Sequence, residues 1–94
     1  HGVMLLLGSM NAEERIAMFL LNLSQRFAAH GHSASEFNLR LKREEIGSYL
    51  SLTLATVSRI FSKFHERGLI AVRQKRVRVL DQASLERVIG RAMR

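Results

Sequence analysis

A chain of 94 residues with no cysteine and a formal net charge of +7 has room for one small domain around a single core. With 47% of its residues apolar it should fold, and the lack of thiols excludes a disulfide framework, a cysteine-held cluster and a thiol nucleophile within this stretch. No apolar run approaches the ~18 residues that span a bilayer, and Val3-Met-Leu-Leu-Leu7 lacks the basic flank and cleavage site of a signal peptide.

The charge is unevenly placed. Up to Leu41, Arg15, Arg26 and Arg40 balance Glu13, Glu14 and Glu36, whereas residues 42–94 carry 12 basic side chains against 5 acidic ones. A basic half beside a neutral one predicts a face for a polyanion.

In chain order, Val3 to Leu7 followed by Gly8 reads as the last turn of an apolar helix stopped by glycine. Residues 1–9 are therefore expected to end a preceding element, and residues 10–94 to form the domain. A helix is predicted over about 11–30: Asn11 and Glu14 form a capping box, and Glu13 complements the helix dipole. Ala12, Ile16, Phe19, Leu20, Leu23 and Phe27 recur at helical spacing as its buried stripe. Residues 30–36 read as a loop and Phe37-Asn-Leu-Arg-Leu41 as a short alternating strand.

Two helices follow, over about 43–50 and 54–66, separated by a tight turn. In the second, Val57, Ile60, Phe61 and Phe64 fall within about 100° of one another at 3.6 residues per turn. Ile46, Tyr49 and Leu50 from the first are expected to complete that core. Packing then leaves Ala55, Arg59, Ser62 and Glu66 pointing outward with Ser58 and Lys63 on the flanks, and Thr53 caps the helix start. Leu69-Ile-Ala-Val72 and Val77-Arg-Val-Leu80 are strand-like around a polar tip, Arg73-Gln-Lys-Arg76, and Asp81 caps a last helix over about 82–90 with Leu85, Val88 and Ile89 inward. The order is that of an α+β winged helix-turn-helix: a three-helix core with a small antiparallel β-wing.

A helix so placed enters a DNA major groove and reads bases through its first two turns. That assigns base contacts to Ala55, Ser58 and Arg59, with Arg59 able to pair bidentately with guanine. Arg43, Thr53, Thr56, Ser62, Lys63, Arg73, Lys75 and Arg76 suit phosphate contacts, which position the protein without specifying sequence. The other reading of the same outline is a winged-helix interaction module that contacts protein and not DNA.

Nothing else forms a site. His30 and His32 lie in a loop far from His1 and His65, with no acid or cysteine to complete a metal set. Glu44 and Glu45 serve a helix start, not a catalytic pair. No nucleophile, base and orienting group converge, so no enzymatic activity is expected. Asn22-Leu-Ser24 matches a glycosylation sequon but falls mid-helix.

Asn11-Ala-Glu-Glu-Arg15, Asn22-Leu-Ser-Gln-Arg-Phe27, Phe37 with its strand, and Glu45-Ile-Gly-x-Tyr-Leu50 through Leu52-Thr-x-x-Thr-Val-Ser-Arg59 together resemble the C-terminal DNA-binding domain of CRP/FNR-type bacterial transcription regulators, in their FNR/ANR-like branch. The resemblance covers nearly the whole chain. It implies a cytoplasmic homodimer on a two-fold symmetric operator with half-sites similar to TTGAT, RNA polymerase as a second partner, and residues 1–9 as the end of a dimerisation helix or hinge. No cofactor is expected in this segment; an iron–sulfur cluster would belong to an N-terminal sensor domain outside it. Two residues depart from the pattern. Ala55 stands where the family usually has Glu, a carboxylate that accepts from cytosine N4, so relaxed or shifted specificity is expected. Ser51 stands where glycine is favoured, at a cost of ~1 kcal/mol if φ is positive there.

Overall fold

The computed structural model describes residues 10–29, 31 and 36–90. The helix-end or hinge reading of residues 1–9 lies outside them, as do His30 and His32. The chain runs through α1 (Ala12–Ala29), β1 (Glu36–Asn38), α2 (Arg43–Leu50), α3 (Leu54–Glu66), β2 (Ile70–Arg73), β3 (Arg76–Val79) and α4 (Gln82–Ile89).

Helix α1 begins with the expected reciprocal cap. The Glu14 N–H donates to Asn11 Oδ1 at 2.9 Å, and the Asn11 N–H donates to Glu14 Oε1 at 2.8 Å. Ile16, Phe19 and Leu20 are buried, while Ala12, Leu23 and Phe27 are partly buried at the edge of the same cluster. α1 lies across the other helices and packs most extensively against α4. There Leu85 is fully buried, with Val88 and Ile89 partly so. Asp81 caps α4: its carboxylate accepts from the Ser84 N–H at 3.0 Å and the Ser84 hydroxyl at 2.6 Å. These bonds hold the carboxyl below its ordinary pKa. The cap is therefore complete above the usual carboxylate range and is lost on acidification.

The three-stranded antiparallel sheet has the order β1-β3-β2. Two sequence expectations are corrected here. The strand predicted at 37–41 is Glu36–Asn38, joined to the wing through Glu36↔Arg78, Phe37↔Val77 and Asn38↔Arg76. Beyond Asn38 the partner strand has already turned away. The Leu39 N–H donates instead to the Lys75 carbonyl in the turn, at 2.6 Å, and Arg40 and Leu41 find no ladder. The polar tip is also shorter than 73–76. Arg73 and Arg76 are the last paired residues of β2 and β3, so the turn is Gln74-Lys75, with Gln74 at φ 57.

A third correction concerns Tyr49, expected in the core but 57% exposed. The buried line of α2 is Ile46, Gly47 and Leu50. Three residues on from Ile46, Tyr49 sits about 60° off that line. Its ring leans on Phe19, centroids 6.2 Å apart and planes at 57°.

Between α2 and α3 the chain reverses through Ser51, whose φ of 61 and ψ of 44 are left-handed. A serine there carries the cost anticipated from the sequence. Replacing it with glycine removes a ~1–2 kcal/mol penalty and returns about 0.5–1 kcal/mol through greater unfolded-state freedom. Ser51→Gly should therefore raise stability by roughly 0.5–1 kcal/mol, read as a higher urea midpoint at unchanged m-value.

Candidate nucleic-acid interface

Helix α3 is held by its apolar stripe. Val57, Ile60, Phe61 and Phe64 are all buried, none more than 3% exposed. This fixes its rotation and leaves Ala55, Ser58, Arg59, Ser62 and Glu66 exposed, as the periodicity requires. Its start is fixed by Thr53, whose Oγ1 accepts from the Thr56 N–H at 3.2 Å and donates to Thr56 Oγ1 at 2.9 Å. α1 and α2 each open with two glutamates, whereas the first turn of α3 has no acidic residue. The positive end of its dipole is thus left for an external anion.

The orientation of α2 and α3 rests on three contacts the sequence did not announce. Arg15 reaches from α1 to donate to the Met10 carbonyl at 3.1 Å and the Leu50 carbonyl at 3.0 Å, closing the C-terminus of α2. Gly47 lies against the turn: a Cβ there would sit 2.5 Å from the Leu52 carbonyl oxygen, and the Leu52 N–H donates to the Gly47 carbonyl at 2.7 Å. Arg43 stacks its guanidinium 4.5 Å from the Phe61 ring centroid and donates to the Gln74 carbonyl at 2.9 Å. Burial lowers the Arg43 pKa, but a guanidinium this basic keeps its proton. Arg43 therefore ties α2, α3 and the wing turn together.

A further strut joins the end of α3 to the wing. His65 Nδ1 accepts from the Val72 N–H at 3.1 Å, which places the ring proton on Nε2. His65 borders two adjoining hollows. One lies beside Ser58 and Ser62 on α3, and the other beside Arg73, Arg76 and Arg78 on the wing. The outer side of α3 and the basic wing are thus neighbouring parts of one surface. The sequence places His65 only outside any metal set; the fold shows its partner.

The cations of α3 and the wing divide into two sets. Lys63 bridges to Glu13 of α1, and Arg78 to Glu36 across the β1–β3 pair at 3.3 Å. Arg59, Arg73, Lys75 and Arg76 are exposed and form no ion pair among the described residues. Unpaired cations beside an outward helix suit a polyphosphate ligand. Among the described residues no cluster of His, Asp and Glu could hold a metal, and no helix is long and apolar enough to cross a membrane.

Fold and surface together define a winged helix-turn-helix domain. The match to known proteins is specific. The chain belongs to the Crp-like helix-turn-helix domain family, whose pattern covers residues 14–88. It is 54% identical over 90 residues to the transcriptional regulatory protein btr of Bordetella pertussis, covering 96% of this chain and 37% of that protein. It is 50% identical over 88 residues to the transcriptional activator protein anr of Pseudomonas aeruginosa, covering 94% of this chain and 36% of the relative. Among solved structures, FixK2 from Bradyrhizobium japonicum superposes with a TM-score of 0.83 at 35% identity, over 93% of this chain and 42% of that one. The FNR/ANR-like branch read from the sequence blocks is the one these relatives represent. The chain spans just over a third of the length of these curated relatives.

Proposed function

We propose that this chain is the operator-reading domain of a bacterial transcription regulator, binding double-stranded DNA sequence-specifically with α3 in the major groove. The observation that carries this reading is the rotation of α3, locked by four buried side chains with Arg59 outward beside the wing cations Arg73, Lys75 and Arg76, which form no ion pair among the described residues. Arg59 pairs with guanine O6 and N7 while Ala55 and Ser58 meet neighbouring base edges. Thr53, Thr56, Ser62, Arg73, Lys75 and Arg76 meet phosphates. Lys63 joins them by exchanging its Glu13 partner for a phosphate, and Arg43 through the guanidinium donors not used on Gln74.

The working unit is a cytoplasmic homodimer that presents two α3 helices about 34 Å apart, one turn of DNA, to a two-fold operator. RNA polymerase is its second partner, and the role is regulatory, not enzymatic. An iron–sulfur cluster, as the FNR-type resemblance implies, finds no thiolate in this cysteine-free chain; its ligands belong to the sensor part of the regulator.

Selection of bound sequences from random duplex DNA, with the chain dimerised through a fused coiled coil, tests the proposal. Inverted half-sites similar to TTGAT, one helical turn apart, are expected; recovery of no common sequence would overturn it. Ala55 refines the expectation. It offers no acceptor to cytosine N4, so once the guanine contact is removed in Arg59→Ala, exchanging the C·G pair should cost little. With Ala55→Glu added to that variant the same exchange should cost ~1–3 kcal/mol, measured by competition with operator variants.

A further inference from the structure

β2 is an edge strand in the order β1-β3-β2, and the Val72 N–H leaves its open side to be taken up by His65 Nδ1 at 3.1 Å. With Nδ1 accepting, the ring proton sits on Nε2. That second donor has no partner among the described residues. Resting on the DNA-reading function above, we infer that His65 is a further DNA-binding residue, whose Nε2–H donates to a backbone phosphate seated between α3 and the wing.

Position, charge and chemistry all lead there. Ser58, Ser62 and His65 recur at i, i+4 and i+7, within about 60° of one another at 100° per residue. All three are exposed, and they form a line along α3 from the base-reading turns toward the wing. A helix in the major groove has a sugar–phosphate strand along its flank, and that strand passes this line on its way to a wing. The two hollows that meet at His65 bring Arg43 to one side of it, and Arg73 and Arg76 to the other. Glu66 borders the first hollow, while Glu36 in the second already bridges to Arg78. Cations therefore prevail around the ring, and an anion is favoured there. The bond from Val72 fixes both the ring and the nitrogen that carries the proton. A phosphate thus meets a preset N–H, and a donor to an ionised oxygen makes a stronger bond than one to a neutral acceptor.

The test neutralises phosphates one at a time. Wild type and His65→Ala are titrated onto a duplex carrying the selected half-site, unmodified or with a methylphosphonate at each backbone position in turn. On the unmodified duplex His65→Ala should bind about ten-fold more weakly, the scale of a hydrogen bond to a charged group. With the methylphosphonate at one particular position, the same substitution should cost about two-fold or less. Preference for the operator over a scrambled duplex should not change, because a phosphate carries no sequence. The inference is overturned if His65→Ala binds the unmodified duplex as wild type does. It is also overturned if the loss is equal on every modified duplex or spread over several positions, which would make His65 only a strut for the wing. Wild-type binding that no methylphosphonate weakens and no sequence improves would overturn the DNA-reading function itself along with this inference.

Discussion

Gly47→Ala should destabilise the domain by about 1–3 kcal/mol, the cost of forcing extra atoms into a packed site. For a domain of this size that lowers the melting temperature by roughly 5–20 °C. The sign is the informative part. In an ordinary helix interior, Ala is better than Gly by about 0.5–1 kcal/mol, so propensity alone predicts stabilisation. Here the added Cβ would stand 2.5 Å from the Leu52 carbonyl oxygen, and that oxygen belongs to backbone fixed by the start of α3. Relief requires moving the turn, which also tilts α3 away from the surface it shares with the wing. Thermal unfolding followed by circular dichroism reads the stability. A gain in melting temperature would contradict the close approach on which the α2–α3 geometry rests.

The second large effect falls on binding with stability unchanged. Arg59 is exposed and forms no ion pair among the described residues, so Arg59→Ala should leave the unfolding free energy within about 0.5 kcal/mol of wild type. Against a half-site containing its guanine, the variant should lose ~1–3 kcal/mol, roughly five- to 150-fold, and the preference for that base pair should vanish. Arg59→Lys should not restore it, because a point charge cannot reproduce a planar two-pronged donor. Lys75→Ala on the wing should behave differently. Its loss weakens all duplexes alike and lowers the salt slope by about one.

The helices were legible in the sequence because their limits are written locally. Asn11 with Glu14, Thr53 and Asp81 each carry the cap that sets a helix start, and a stripe spaced at 3.6 residues decides which side is buried. The outward set on α3 followed from that alone. Strand limits were less legible, because a strand exists only where a partner runs beside it. Glu36 pairs with Arg78, while Arg40 and Leu41, equally strand-like in pattern, pass beyond the end of β3. Tyr49 was misplaced because three-residue spacing from Ile46 admits both a buried and a flanking position on so short a helix. The contacts that assemble the surface were not legible at all. The reach of Arg43 to Phe61 and Gln74, of Lys63 to Glu13 and of His65 to Val72 joins residues that only the tertiary fold brings together. Nothing in their local sequence distinguishes them from solvated side chains. Ser51 lay between these cases: its left-handed backbone was foreseeable only because glycine is usual at that turn.

The central claim is that α3 reads DNA sequence while the wing holds phosphate. Equilibrium competition measures it most directly: the selected operator against a scrambled duplex, for wild type and Arg59→Ala, over a series of salt concentrations. The expected result is affinity that falls steeply and linearly in log salt for both duplexes, with a preference for the operator that Arg59→Ala erases. Affinity flat in salt and indifferent to sequence and to Arg59 would contradict the account, and would make this surface a site for protein.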